Sequence, residues 1–288
     1  FRMYGTRLTS VQLNGNTEVT IPSSVTDIGS AFQDLGELVG VTIPSSVTNI
    51  GVFAFQNCTN LTSITIPSSV VVIGGSAFQG CTSLEEIEIP DSVVSMESAF
   101  WDCSGLTRVV LGNGLTEIAP YTFMDCTSLT NVVFGENLSV IGATAFEGCT
   151  ALTDVVFPDS LTRINYYAFR DCTSITELVI PENVVVDFDA FGGCTSLTDL
   201  PVKSGVTLSY ASFQDCTSLS QATLEDRVTV ESHVFNGCSN LANVTIGKGA
   251  VLVPFAFSGC SGLKSVNISG TVVSPKKRLL AAAGGRRL

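Results

Sequence analysis

The chain has 288 residues, 45% hydrophobic and 14% charged, a balance that supports a well-buried core and excludes an intrinsically disordered chain. The formal net charge is −12, from 26 carboxylates against 14 cations, which argues against nucleic acid as a partner because phosphates need Lys and Arg. No run of 18 apolar residues is present to span a membrane, and the chain starts at Phe1 with no recognisable signal segment, so the compartment stays open.

Residues 1–22 stand apart from the rest of the chain. "VQLNGNTEVTI" at 11–21 alternates Val11, Leu13, Val19 and Ile21 about Asn14-Gly15. Asn-Gly between alternating segments predicts a hairpin, here a cap or a degenerate first turn that shields an open sheet end.

From 23 to 272 one phrase returns about eleven times. Ten cysteines, Cys58 to Cys260, fall at intervals of 22 or 23 residues, each with Phe three before and Leu or Ile three after. Phe32 with Leu35 extends the register one unit earlier, with Leu in the cysteine's place. In "AFQNCTNLTSITIPSSV" (54–70) the apolar step changes from three to two. Ala54, Phe55 and Cys58 predict a single helical or 3₁₀ turn. Leu61, Ile64 and Ile66 predict a strand with one buried face, closed by Pro67. Val70 and Ile73 predict a second short strand before Gly74. One unit cannot bury its own apolar face, so the units must stack.

The L-x-x-I-x-I strand, the A-F-x-x-C turn and the I-P-x-S-V-T-x-I-G return together resemble the BspA-like (Treponema pallidum type) leucine-rich repeat, over about residues 8–270. The resemblance implies a β-rich α/β solenoid, a horseshoe or right-handed superhelix of 22–23-residue units. It carries a parallel sheet on one face, short second strands and single helical or 3₁₀ turns. It also implies binding at cell surfaces; it does not imply catalysis.

Residues 273–288 leave the period. The last fourteen, "PKKRLLAAAGGRRL", carry Lys276, Lys277, Arg278, Arg286 and Arg287, leaving nine cations against all 26 carboxylates in the rest of the chain. The segment reads as a disordered end or linker, or as a basic peptide that contacts an acidic surface.

The cysteines lack the close pairs of a zinc site, so no metal or other cofactor is expected. Equivalent side chains in a stack point the same way, which predicts a buried, reduced ladder rather than disulfides. His233 is the lone histidine, in a slot that also holds Phe53, Ser76, Tyr121 and Ala211, and is expected at the surface without a catalytic role. Trp101 is expected exposed on the turn. Asn57, Asn60, Asn137, Asn243 and Asn267 stand in N-x-S/T sequons, which matter only if the chain is secreted by a eukaryote.

The outward face of the first strands is the candidate binding surface. One row runs through Glu86, Arg108, Asn131, Asp154, Glu177 and Asp199; its neighbour runs through Glu88, Val110, Val133, Val156 and Val179. Outward valines either reflect β-propensity alone or mark a contact patch. The leading expectation is a non-catalytic protein-binding or adhesion module of a larger surface protein, its partner a protein or other macromolecule. A surface or extracellular setting stands first and a cytoplasmic one second. An intracellular scaffold using the same face is the alternative. A polysaccharide-acting β-helix enzyme is the third reading, since carboxylates such as Asp154 and Glu177 stack.

Overall fold

Each pass of the chain lays down two short strands joined by turns, and successive passes pair in parallel. The computed structural model describes residues 1–273; the basic segment from 274 onward, with Lys276, Lys277, Arg278, Arg286 and Arg287, lies outside the described residues. The chain divides into two compact units: Phe1–Leu138 with Gly148–Thr150, and Ser139–Glu147 with Ala151 onward.

In the first unit, the second strands Arg7–Ser10, Asp27–Ile28, Asn49–Ile50, Val72–Ile73 and Ser95–Met96 form one parallel ladder. Its first strands form two sets: Glu18–Thr20, Gly40–Thr42 and Ser63–Ile64, then Glu86–Ile89, Arg108–Leu111 and Asn131–Val133. In the second unit the first strands are Asp154–Val155, Glu177–Leu178, Asp199–Val202, Gln221–Leu224, Asn243–Ile246 and Ser265–Ile268. Its second strands run from Val140–Ile141 to Val251–Leu252. Partners in these parallel ladders stand one repeat apart, as Val109↔Ile87 and Leu200↔Ala222 show. Each unit is thus a β-solenoid of 22–23-residue turns.

The core comes directly from the repeat. Phe32, Phe55, Phe78, Phe100 and Phe123 stack in the first unit at centroid spacings of 4.8–5.5 Å. Phe146, Phe169, Phe191, Phe213, Phe235 and Phe257 do so in the second at 5.0–6.2 Å. Phe32 through Phe235 are fully buried. All ten cysteines are free and buried, as the ladder reading expects.

The expected helical or 3₁₀ turns are isolated i→i+3 turns, and no helix forms among the described residues. Ala54 N–H bonds to Gly51 O, Gln56 N–H to Phe53 O, and Cys58 N–H to Phe55 O. Propagation fails because Phe53 (φ 59°) and Asn57 (φ 57°) are left-handed. Both positions are left-handed in every turn from Phe53 and Asn57 onward, and the one just before the cysteine holds only Asp, Asn or Gly. Those residues tolerate that conformation best. The shortening to 22 residues after Cys172 has a local cause as well. Asn183, Gly205, Arg227 and Gly249 add a left-handed residue that tightens the loop before the second strand.

The hairpin expected about Asn14-Gly15 is corrected. Asn14 (φ 49°) and Gly15 (φ 84°) do make a tight turn, with Asn16 N–H on Leu13 O at 2.9 Å. However, Glu18–Thr20 pairs in parallel with Gly40–Thr42. The antiparallel hairpin lies earlier, between Arg2–Tyr4 and Arg7–Ser10. Stacking Leu8 on Ile28 buries both completely. Val11 and Leu13 are buried too, so 11–13 serves as the apolar turn of a degenerate repeat rather than as a hairpin arm.

Candidate interaction surface

The first strands alternate as the two-residue period requires. Ile87, Ile89, Val109 and Leu111 are buried, while Glu86, Glu88 and Arg108 are exposed. In the first unit, Arg108 stands between Glu86 and Asn131, and Val110 between Glu88 and Val133. A cation between acceptors offsets the carboxylate's charge there. Val133 is exposed; Val110 and Asn131 are half-buried, less outward than the pattern predicts.

In the second unit, Asp154, Glu177 and Asp199 are direct neighbours in adjacent parallel strands, with no cation between them. Like charges facing each other in a ladder oppose folding, so this row costs stability where it stands. Asp154 and Glu177 are exposed and Asp199 half-buried. Val156 is 80% exposed and Val179 48%, just past the ends of their strands.

Those two valines open into a groove of about 710 Å³, lined also by Phe157, Asp159, Pro181, Glu182, Lys203 and Glu225. Lys203 Nζ donates to Glu225 Oε1 at 2.9 Å, and Ser204 N–H and Oγ–H both bond Glu225 Oε2 at 3.2 Å. The hydrogen bond to Glu225 holds the Lys203 amine above its ordinary range; the same bond holds the Glu225 carboxyl below its own. With Lys203 engaged, Asp159 and Glu182 leave the groove negative around an apolar floor. Asp159, Glu182, Lys203 and Glu225 are absent from the two rows read in the sequence. Asp159 and Glu182 follow a repeat proline, whereas Lys203 and Glu225 take the proline's own position in turns that lack it, at the edge of the sheet face.

Trp101 is 38% exposed on its turn. His233 differs from expectation: it is half-buried, with Nδ1 enclosed and without a hydrogen-bond partner, against Tyr210 and Phe255. Among the described residues no group of His, Cys, Asp and Glu is placed to hold a metal ion, and no helix is long and apolar enough to cross a membrane.

Parallel strands paired one repeat apart, a stacked phenylalanine core and a buried cysteine at each corner define a leucine-rich repeat solenoid. The chain belongs to the BspA type leucine rich repeat region (6 copies) family, matched over residues 12–100, 96–220 and 174–281. A leucine-rich repeat protein from Bacteroides ovatus ATCC 8483 is 28% identical with TM-score 0.71, covering 90% of this chain and 74% of that one. One from Eubacterium ventriosum ATCC 27560 is 21% identical with TM-score 0.52, covering 93% and 80%. The Treponema pallidum leucine-rich repeat protein is 24% identical with TM-score 0.41, covering 74% and 81%. No curated protein matches the chain. Leucine-rich repeat proteins are generally protein-binding.

Proposed function

We propose that this protein is a non-catalytic binding module that holds a protein partner on the outward face of its first strands. The observation that carries the reading is the groove of the second unit, where Val156 stands 80% exposed among carboxylates. An exposed β-branched side chain on a concave, negatively charged rim suits a partner's apolar side chain flanked by Lys or Arg. Val156 and Val179 supply the desolvated contact; Asp154, Glu177 and Asp199 set orientation and association rate. Glu86, Glu88, Arg108, Val110, Asn131 and Val133 form the corresponding contact surface of the first unit. The biological setting that the family resemblance implies is adhesion at a cell surface, as part of a larger surface protein.

The test uses peptides selected on the wild-type protein from a random 12-mer library. Asp154→Lys with Glu177→Lys should weaken their binding and invert its salt dependence while the thermal midpoint holds, since both side chains face solvent. Selected peptides that bind this variant unchanged contradict the proposal.

A further inference from the structure

The groove does not account for a second exposed feature of the second unit. Tyr167, Phe188, Tyr210, His233 and Phe255 come from five successive turns and run as a ribbon with ring centroids 5.2, 5.8, 5.2 and 5.8 Å apart. Phe188, Tyr210 and Phe255 are 39%, 46% and 56% exposed. The core phenylalanine rings of this unit lie within 23° of parallel, whereas the ribbon's rings tilt by 68°, 28°, 49° and 21°. The larger tilts turn ring faces out of the stack.

Backbone conformation gives an internal comparison. Tyr167, His233 and Phe255 are left-handed, with φ of 59°, 62° and 69°. Four residues later in the same turns, the left-handed position holds Asp171, Gly237 and Gly259. Both positions make the same backbone demand, and only one is filled by the residues that meet it cheaply. Three of the five rings thus stand where they strain the chain, while Phe188 and Tyr210 stand one residue before the left-handed Asp189 and Ala211.

The chain itself shows what such a surface accepts. Arg170 Cζ lies 5.1 Å from the centroid of the Tyr167 ring, while its guanidinium lies 3.5 Å from Asp189 Oδ2, 3.8 Å from Asp171 Oδ2 and 3.9 Å from Glu147 Oε1. The next three turns carry Gly192, Gln214 and Asn236 in the Arg170 slot, so the cation is missing. In those turns the Tyr167 position itself holds Asp189, Ala211 and His233; rings enter one residue earlier, at Phe188 and Tyr210, and return to the Tyr167 position at Phe255. Carboxylates remain in Asp215 and Glu231, the latter accepting Tyr210 N–H at 2.9 Å.

We infer that the Tyr167–Phe255 ribbon is a second binding surface, separate from the groove, that takes an arginine-bearing peptide segment by seating its guanidinium groups on the rings as Arg170 is seated on Tyr167. The planar, weakly hydrated guanidinium stacks on aromatic faces, and a lysine ammonium does so less well. Arg over Lys selectivity therefore separates this contact from general attraction to an acidic protein.

The experiment titrates fluorescein-labelled nona-arginine and nona-lysine peptides into the protein at 150 mM salt. Nona-arginine should bind at least about fivefold more tightly. Phe188→Leu with Tyr210→Leu and Phe255→Leu keeps apolar volume and net charge but removes the π faces, and should abolish the preference. Asp154→Lys with Glu177→Lys on the strand face should leave the ratio intact. Equal affinity for the two peptides, a preference that survives the leucine variant, or one erased by the strand-face variant overturns the assignment. If the triple leucine variant does not fold, NMR of nona-arginine on the wild-type protein decides. Ring currents should move its δ-methylene protons upfield; unmoved signals overturn the inference.

Discussion

The thiol of Cys81 donates to the carbonyl of Phe55 at 3.2 Å, and the same oxygen accepts the Cys58 N–H of its own turn at 3.1 Å. Both lone pairs of a fully buried carbonyl are thus filled, one by the local turn and one by the next repeat. The contact recurs for every cysteine, from Cys58 on Phe32 to Cys260 on Phe235, at 3.1–3.4 Å. Size and apolar character explain why a small side chain sits there; the donor explains why it is cysteine rather than alanine. Cys81→Ala should therefore destabilise by about 1–3 kcal/mol in urea unfolding, through the lost donor and the space left behind.

Burial also sets the chemistry of these thiols. Desolvation pushes Cys58 and Cys260 up to about 12 and raises Cys103 and Cys126 well above the ordinary thiol value. The thiolate is the reactive species, so the native protein should give almost no colour with a thiol reagent at pH 8. After denaturation without reductant, all ten should react. A mass spectrum showing a Cys126–Cys149 link would contradict the ladder.

Phe146 is fully buried and its ring stacks on Phe169 at 5.0 Å. Phe146→Ala should cost about 3–5 kcal/mol. Gln79 stands on the outer side of the corresponding turn, accepting from Gln56 Nε2 at 2.9 Å, and Gln79→Ala should stay within about 0.5 kcal/mol. Similar losses from both substitutions would contradict the assigned direction of the turn.

Gly148 joins two demands in one residue. Its φ is +73°, and a Cβ there would run into Asp125 Oδ1 of the preceding turn. Gly148→Ala should cost about 1–3 kcal/mol. In an Asp125→Gly background the cost should fall, leaving only the backbone part. A double-mutant cycle by chemical denaturation measures the difference.

Burial pushes the Asp189 carboxyl from 3.8 up to about 6; Arg170 opposes the rise, and Asp171, Asp215 and Glu147 add to it. A carboxyl with a raised folded value favours the folded state while protonated. Its contribution is fully present below pH 3.8 and is lost as pH rises through about 6. Asp189→Asn keeps the shape and the left-handed backbone without the titration. Relative to this variant, the wild type should lose up to about 3 kcal/mol across that window. A constant difference with pH would contradict the assignment.

The repeat makes most of the fold legible in the sequence. Phenylalanine, cysteine and leucine at fixed spacing mark the buried positions, and strand alternation correctly separates Ile87 from Glu86 and Glu88. Features that depend on pairing between turns are not legible in the same way. The strong local signal at Asn14-Gly15 points to a hairpin there; burial of Leu8 against Ile28 decides otherwise. The helical turn fails for a similar reason. Spacing of three reports a turn, but the left-handed Phe53 that stops it is a residue type that carries no such signal. The rows through Glu86–Asp199 and Glu88–Val179 emerge from repeat position alone. The groove beside Val156 needs the loop carrying Glu182 and the next turn's Lys203, which the strand pattern does not connect.

A partner held at the strand face through Val156 and Val179 is tested most directly by measuring the affinity of the selected peptides for Val156→Asp with Val179→Asp, beside Gln79→Lys on the turn side of the first unit. The strand-face variant should lose tenfold or more, roughly the worth of one or two desolvated aliphatic contacts, with little added salt sensitivity. Gln79→Lys should bind as the wild type does. Peptides that keep full affinity for the valine variant and lose it with Gln79→Lys would place the partner on the turn side and contradict the strand-face site.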